Sequence, residues 1–471
     1  MRIARSGAVL ALAAILALAA CTHEQKPPPP TPTPTQMPLG SGNPLGSKWD
    51  WGMSAPLAVA RQMRGGATFF EVERCDVEPR PGQYDWKRVD RVVQDATAMG
   101  YSMMLKIRAG DCYGDAGDGS GVRDKTEATA KTPSSLPTDL NAYRDFVTML
   151  VARYSAKGVH EYAVENEIDT ANFWSGDYAD FTTLAKAAAQ AIHTADPKAK
   201  VLDPGLSSTA YGAVLADAMV RSGDTDRALS FYQAYYQRRQ DGGASRFPKA
   251  TDSRRLQHIL AQPMAQRAIE AADEITRLDK EHVFDVYQLH FYEPVAALPQ
   301  VLTWIHQHVS LPVEAWEVGV AWPGEFDPQV QAEDTAKLTG LLLGAGVRRV
   351  VYLPLAPTPK DGKQPVFRGL ADPDGTITPA GRVFEKLAGL LSGGVTVRTA
   401  SLSGLTGISI SGKKGTDFLL WTAGGDQVSL RSGISAQSVT GSGAGSSVGS
   451  DPVLVHRDQP LSQAQNSLIA R

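Results

Sequence analysis

The sequence has little of several features that would assign a function directly. Its 471 residues include only 3 cysteines, and the formal net charge is −3. No Cys/His cluster has the spacing of metal ligands, and no glycine-rich loop opens a helix after a strand, as phosphate-binding loops do. We therefore expect no cofactor, no metal and no nucleic-acid partner. The remaining composition is that of an ordinary globular protein, so function has to be inferred from candidate sites.

Long apolar runs are also scarce, and the one that stands out lies at the amino terminus. It extends from Ala8 to Ala20, follows Arg2 and Arg5, and is too short for a stable membrane-spanning helix. It ends at Cys21 in a pattern that resembles a bacterial lipoprotein signal, which implies a lipid on Cys21 and a membrane partner. Because Thr22 rather than aspartate follows, we expect a periplasmic or cell-surface location with the outer membrane favoured. The alternative is ordinary secretion with Cys21 removed or inert.

Composition predicts five segments along the chain. Proline, threonine, glycine and serine dominate the stretch after the signal, which is typical of a spacer. The segments are a signal peptide at 1–20, a linker at 21–47, a large domain at 48–393, a small β-rich domain at 394–460 and a frayed tail at 461–471.

Short apolar runs alternate with helical patterns from Lys48 onward, which favours a parallel sheet. Eight such runs at this spacing predict an α/β fold, a (β/α)8 TIM barrel, with the later Gly/Ser-punctuated strands forming the small C-terminal β-sandwich. The predicted strands are Trp49–Met53, Thr68–Val72, Tyr101–Ile107, Tyr162–Val164, Lys200–Asp203, Val283–His290, Val313–Glu317 and Arg349–Leu353.

The fourth of these strands ends abruptly in Glu165-Asn166-Glu167. A carboxylate beside an amide at the carboxyl end of a barrel strand is where such barrels place catalytic groups. A solvated acidic loop is the plain alternative for a lone pair of this kind.

Several motifs in order along the chain resemble clan A of the glycoside hydrolases, and most closely family 39, which includes β-xylosidases and exopolysaccharide-cleaving enzymes. The resemblance runs from about Lys48 to Gly393. Its pieces are Val77-Glu78-Pro79 through Tyr84-Asp85-Trp86, Asn166-Glu167 with Phe173-Trp174, Phe284-Asp285-Val286 with His290 and Tyr292, Glu317-Val318-Gly319, and Gly375 to Ala380.

The resemblance implies roles for two glutamates. Glu167 matches the acid/base and Glu317 the nucleophile of a retaining glycosidase, with carboxyl groups about 5–5.5 Å apart. The physical chemistry agrees, because glycoside hydrolysis needs one carboxyl that holds a proton and one that stays ionised. A closed barrel brings strands four and seven to the same mouth.

Five further residues are candidates for substrate contact. By resemblance, Asn166 donates to the sugar 2-hydroxyl and Tyr292 hydrogen-bonds Glu317. His290 either lines the floor of the cleft or is structural. Trp174 and Trp322 follow the two catalytic strands, where aromatic faces suit stacking on sugar rings or packing of loops.

The chain departs from the clan at two positions. Phe69, Phe70 and Glu71 occupy the place of an arginine that supports the nucleophile, and Arg74 or Arg108 is the predicted substitute. On strand eight, Tyr352 and Leu353 stand where a tryptophan is expected beneath the reacting sugar. Both departures affect the inner sugar subsite and hence the substrate.

With Cys21 assigned to a lipid, Cys75 and Cys112 remain as an even pair in an oxidising compartment. Both follow neighbouring barrel strands at the same end, so we predict a disulfide between them. Two unpaired buried thiols are the alternative.

These features predict a retaining glycoside hydrolase that cleaves a polysaccharide by a two-glutamate double displacement. The long segment from Leu206 to Glu281, with its aromatic pairs and basic run Arg238-Arg239, favours endo-acting cleavage of an exopolysaccharide. The alternatives are an exo-acting β-xylosidase-like enzyme and a non-catalytic carbohydrate-binding scaffold. The oligomeric state is not predictable from the sequence.

Overall fold

The structure is a computed structural model that describes residues 37–38, 42–49, 51, 54–63, 65–110, 133–243, 246–322, 327–357, 367–400, 402–441 and 443–469. The first 36 residues lie outside this range, so the predicted signal, Cys21 and most of the linker do too. No helix in the described part of the chain is long and apolar enough to span a membrane.

The helices and strands alternate through the first three quarters of the chain and give way to strands at its end. In chain order they are β1 (Met37–Pro38), β2 (Leu45–Ser47), α1 (Ser54–Gln62), β3 (Ala67–Glu73), α2 (Arg74–Val77), α3 (Lys87–Ala98), β4 (Ser102–Arg108), α4 (Leu140–Ser155), β5 (Glu161–Val164), α5 (Tyr178–Ala195), β6 (Lys200–Leu202), α6 (Ala210–Arg221), α7 (Thr225–Asp241), α8 (Ser253–Leu260), α9 (Pro263–Lys280), β7 (Tyr287–Phe291), α10 (Leu298–His308), β8 (Val313–Val318), β9 (Val320–Ala321), α11 (Pro328–Gly344), β10 (Val350–Tyr352), β11 (Phe367–Arg368), α12 (Pro379–Leu390), β12 (Thr396–Thr399), β13 (Thr406–Gly412), β14 (Gly415–Trp421), β15 (Val428–Ser429), β16 (Ala436–Ser438), β17 (Ala444–Gly445), β18 (Ser447–Val448), β19 (Val453–Arg457) and α13 (Leu461–Asn466).

Eight parallel strands close into the predicted (β/α)8 barrel. The order within the sheet is β6-β5-β4-β3-β2-β10-β8-β7. A parallel bridge between Leu202 and Val286, next to β6 and β7, joins its two ends. The fold-class prediction is therefore confirmed, and all eight carboxyl ends meet at one mouth.

Two layers of apolar side chains stabilise the barrel. The inner layer is small and includes Phe69, Met104, Leu202, Trp316 and Val351. A larger layer packs the outer face of the strands against the helices. Along the regular strands, side chains alternate between these layers, so a residue two positions from an inner-layer residue also faces inward. In β8 a register shift breaks the alternation, and Trp316 and Glu317 both face inward.

The first predicted strand was wrong by several residues. Trp49–Met53 was expected, but the barrel strand is Leu45–Ser47, which lies inside the predicted linker. Gly46 in this strand packs against the backbone of Ala67. A Cβ added at Gly46 would lie 2.2 Å from the Ala67 carbonyl oxygen. A Gly-containing triplet in a Gly/Ser-rich stretch looks like a spacer, but here the close approach of two strands requires it.

The carboxyl-terminal strands form antiparallel sheets with their own apolar core. The larger sheet has seven strands, and β15 pairs with β18 in a two-stranded ribbon. Part of the predicted tail belongs to this core, which corrects the expectation of fraying. Helix α13 buries Ala464, and Leu468 after it is fully buried.

Candidate active site

The strand that carries the first predicted catalytic residue ends in an unusual backbone turn. After β5, Glu165 has φ 67° and Glu167 has φ 41°. Non-glycine residues rarely adopt positive φ, and they persist in it only where the surroundings enforce it. Here the Glu165 carboxylate accepts from the Ala109 backbone at 2.6 Å, and the Glu167 backbone donates to the Pro204 carbonyl at 3.0 Å. These contacts hold both turns and direct Glu167 into the mouth.

The two predicted catalytic glutamates lie close together at that mouth. One carboxylate oxygen of Glu167, one ring nitrogen of His290 and one carboxylate oxygen of Glu317 all lie within 4.8 Å of one another. His290 on β7 is the neighbour of Glu317 on β8 in the strand register. The side chains of Glu167 and Glu317 are 15% and 10% exposed, so both can be reached from solvent.

The Tyr292 hydroxyl is hydrogen-bonded to Glu317. Its Oη donates to Glu317 Oε2 at 3.1 Å. Burial, and next the Glu317 carboxylate, raise the pKa of Tyr292 well above its usual value. The hydroxyl therefore keeps its hydrogen and donates it to the ionised carboxylate.

His290 is fully buried and lies between the two carboxylates. Its Nδ1 is 2.9 Å from Glu167 Oε1, and its Nε2 is 3.1 Å from Gln288 Oε1. The Gln288 amide is oriented because its Nε2 donates to the Asp203 carbonyl at 2.6 Å. A ring that donates from Nε2 to Gln288 accepts at Nδ1, whereas a ring that accepts from Lys106 at Nε2 donates from Nδ1 to Glu167. His290 is thus linked to the acid/base candidate and also to the barrel floor.

Lys106 is the residue of this site that sequence reasoning missed. It lies on β4 inside the barrel, fully buried, and its ammonium donates to Glu317 Oε1 and to Asn166 Oδ1. The signal was present, because Lys106 is a single charged residue within the apolar run of Met103 to Ile107. A charge in such a run is rarely buried without a partner.

Lys106 also bears on metal binding. Glu167, His290 and Glu317 form a donor set that a divalent cation accepts. The Lys106 ammonium already lies against Glu317, so a cation there would meet a positive charge of the chain itself.

The arginines predicted to support the nucleophile are engaged with other carboxylates. Arg74 pairs with Glu78 at 2.8 Å. Arg108 donates to Glu73 at 2.9 Å, lies 3.8 Å from Glu165 and covers the Phe173 ring. The expectation that either arginine substitutes on the nucleophile is corrected by the contact of Lys106 with Glu317.

Two buried acids beside the catalytic turn have raised pKa values. Burial raises the pKa of Glu165 to about 7, although Arg108 opposes this. Burial, and next the Glu167 carboxylate, raise the pKa of Asp169 to about 6, against two hydrogen bonds from Ser207. Sequence reasoning did not single out Asp169, which lies two residues after Glu167.

The predicted aromatic contacts divide into buried and accessible ones. Trp174 is completely buried, donates to the Asp177 carbonyl and packs edge-on against Phe181, so it is a core residue and not a stacking platform. Trp322 remains partly exposed, with the Arg238 guanidinium 4.2 Å above its ring.

The last barrel strand, β10, does not place an aromatic ring beneath the site. Tyr352 points outward, donates to the Thr335 carbonyl and meets Phe384 edge-on. The predicted substrate contact of Tyr352 is therefore wrong. Leu353, the next residue, packs against the inner layer of the barrel.

Cys75 is disulfide-bonded, but its predicted partner Cys112 lies outside the described residues.

Comparison with known proteins finds similarity to glycoside hydrolases. The sequence model of glycoside hydrolase family 44 matches residues 89–245, which include Glu167 but not Glu317. No curated protein matches the sequence significantly.

Solved structures match most of the chain. A family 39 glycoside hydrolase from the gut symbiont Bacteroides cellulosilyticus WH2 is similar with a TM-score of 0.56 and 12% identity, over 88% of this chain and 81% of the other. A family 39 β-xylosidase from Caulobacter crescentus has a TM-score of 0.50 and 16% identity, over 85% and 84%. A monomeric β-xylosidase from Caulobacter crescentus CB15 has a TM-score of 0.50 and 14% identity, over 90% and 97%.

These likenesses confirm the resemblance to family 39 at the level of the fold. The chain shares its fold with these clan A glycoside hydrolases.

Proposed function

We propose that this protein is a retaining glycoside hydrolase with Glu167 as acid/base and Glu317 as nucleophile. The observation that carries the proposal is that one carboxylate oxygen of Glu167 and one of Glu317 lie within 4.8 Å of each other at the mouth of the barrel. Retaining glycosidases hold these groups about 5–5.5 Å apart, whereas inverting enzymes need about 6.5–9.5 Å to admit a water. The spacing therefore supports direct attack by Glu317 on the anomeric carbon.

The surrounding groups supply a role for each step. Glu167 donates a proton to the glycosidic oxygen while Glu317 attacks, which forms a glycosyl–enzyme ester and releases the leaving group. Glu167 then removes a proton from water, and that water displaces Glu317 from the sugar. Tyr292 donates a hydrogen bond to the ionised form of Glu317. We propose that Asn166, whose Oδ1 accepts from Lys106, donates to the sugar 2-hydroxyl.

The catalytic pair is tested with two variants and one control. Glu317→Ala is expected to abolish turnover, and azide or formate should restore part of it by replacing the nucleophile. Glu167→Ala should cost most with substrates whose leaving group needs a proton and least with activated aryl glycosides. Glu270→Ala, an exposed carboxylate on α9, is the control and should behave as wild type. Near wild-type activity of both site variants would overturn the assignment. Glycan binding without turnover by the wild type would favour a binding scaffold.

For the substrate, we propose endo-acting cleavage of an exopolysaccharide. The partly exposed ring of Trp322, one face of which is covered by Arg238, supports an extended chain at the mouth. Other support expected from the sequence is lost. The aromatic pairs of α7 are buried, and Arg238 and Arg239 pair with Asp334 and Glu293.

An exo-acting, β-xylosidase-like activity is the second candidate, because two of the similar structures are named as β-xylosidases. Product size over time separates the two. Mixed oligosaccharides at early times support endo cleavage. Release of monosaccharide alone, with polymer length nearly unchanged, contradicts it.

The cellular location is a separate proposal that rests on the sequence of the first 21 residues. A lipid on Cys21 would hold the enzyme at the periplasmic face or the cell surface, with the outer membrane favoured. Cys21→Ser should move the protein from the membrane fraction to the soluble fraction in its bacterial host. Unchanged fractionation of Cys21→Ser would contradict the anchor.

A further inference from the structure

Lys106 is a buried cation in the centre of the barrel mouth. Met104, two residues earlier on β4, belongs to the inner layer, and the alternation of the strand places Lys106 on the same face. Its side chain is 0% exposed. Burying an ammonium costs free energy unless the group is paired and hydrogen-bonded. The groups that contact Lys106 therefore indicate its role.

The ammonium has three hydrogens and three polar neighbours. It donates to Glu317 Oε1 and, at 2.6 Å, to Asn166 Oδ1, and it lies 3.4 Å from His290 Nε2. The Phe69 ring, whose centre is 4.7 Å from Nζ, covers another side of the charge. Within the described ranges, Glu317 is the only carboxylate in an ion pair with Lys106.

The contact with Asn166 also determines which end of the amide faces the ammonium. An ammonium only donates hydrogen bonds, so the amide oxygen must point toward Lys106. The Nδ2 hydrogens are then left for a substrate hydroxyl. One cation thus contacts the nucleophile and the residue placed for the sugar 2-hydroxyl.

We infer that Lys106 is the positioning residue of this site: it stabilises the ionised form of Glu317 and orients the Asn166 amide toward the sugar 2-hydroxyl. The inference rests on the proposed glycosidase function. Lys106 acts through Glu317 and Asn166 and takes no part in bond making itself. It carries out from β4 the support that an arginine on β3 was expected to provide.

The pH dependence of kcat/KM tests the action on Glu317. Lys106→Met removes the charge and keeps most of the volume, whereas Lys106→Arg keeps the charge. Loss of a neighbouring positive charge disfavours the carboxylate, so the acid limb of Lys106→Met should move to higher pH by about 1–3 units. The acid limb of Lys106→Arg should stay near that of wild type. An acid limb that does not move in Lys106→Met would overturn the inference. A merely structural role for Lys106 would leave the pKa that sets the acid limb unchanged.

A pair of aryl glycosides with and without the 2-hydroxyl tests the action on Asn166. Wild type should lose activity when the hydroxyl is absent, and Lys106→Met should lose at least about tenfold less, because its amide is no longer oriented. Asn166→Ala should show the same insensitivity. An equal loss in wild type and Lys106→Met would remove this half of the inference.

Thermal unfolding separates the inference from the proposed function, since it needs no substrate. Lys106→Met leaves Glu317 buried without its cation, and Glu317→Gln relieves that charge. The double variant should therefore melt at a higher temperature than Lys106→Met alone. If wild type has no turnover but this rescue is seen, the proposed function fails while the pairing stands. If the double variant melts no higher, the pairing itself is wrong.

Discussion

His290 Nδ1 lies 2.9 Å from Glu167 Oε1, and this contact connects the acid/base candidate to a chain of buried groups. From His290 the chain continues through Gln288 to the Asp203 carbonyl. The direction of each hydrogen bond at the ring depends on its tautomer, because Gln288 Oε1 accepts at Nε2 whereas Lys106, which only donates, lies 3.4 Å from the same atom. The tautomer of His290 is therefore coupled to whether Glu167 carries a proton.

Replacing the ring should impair proton donation more than nucleophilic attack. We expect His290→Ala to lose most activity on glycosides with poor leaving groups and little on activated aryl glycosides, because the latter do not need an acid. A plot of log kcat/KM against leaving-group pKa should be steeper for His290→Ala than for wild type. A uniform loss on all leaving groups would show that His290 acts only through packing.

Gly205 offers a way to displace the His290 ring without touching it. Gly205 has φ +67°, and an added Cβ would lie 2.8 Å from His290 Nε2. Gly158 has φ +86° and nothing within 4 Å, so Gly158→Ala has the backbone strain alone. Each alanine should cost about 1–3 kcal/mol of stability from its backbone. Only Gly205→Ala should also lower kcat/KM. Equal activity of the two variants would contradict the expected displacement of the ring.

Asp279 predicts an unusual dependence of stability on pH. It is 1% exposed, and neither carboxyl oxygen has a hydrogen-bond partner in the described residues. Burial raises its pKa to about 8, and Asp203, which interacts with it, is raised too. Between about pH 4 and pH 8 the folded state then binds more protons than the unfolded state. Stability contributed by Asp279 is thus full below pH 4 and lost as the pH rises through 8.

Asp279→Asn should remove this loss. The melting temperature of the variant relative to wild type should increase from pH 5 to pH 9, by roughly 1 °C for each kcal/mol recovered in a chain of this length. Asp273→Asn, an exposed position on the same helix, is the matched control and should show no such trend. A difference between Asp279→Asn and wild type that does not change with pH would mean that Asp279 does not hold the proton.

The cysteine pairing remains a prediction for Cys112. Cys75 is disulfide-bonded in the structure, and the only other cysteines are Cys21 and Cys112. Denatured, unreduced protein lacking residues 1–21 should show no reactive thiol, and reduction should lower stability by roughly 2–4 kcal/mol. Cys112→Ser should then expose one thiol. Two reactive thiols in the unreduced protein would exclude the bridge.

Much of the barrel was predictable because buried parallel strands appear as short apolar runs between amphipathic helices. Glu167 and Glu317 were predictable since strand ends converge on one mouth. The direction of a side chain was harder to predict from the sequence, as Tyr352 and Trp174 show. Whether a strand-end aromatic residue faces sugar or core depends on one step of alternation and on neighbours far away in the sequence. Lys106 was missed for the related reason that its partners, Asn166 and Glu317, come from other strands.

The pairing of β1 with β12 has a consequence for how the chain acquires its structure. Met37 is opposite Val397, so a segment before the barrel completes a sheet formed after it. During synthesis this edge strand has no partner until the whole barrel has emerged from the ribosome. Bringing these ends together closes a very long loop, which is entropically costly and slow unless the barrel has already folded between them. We therefore expect this strand to dock late in folding.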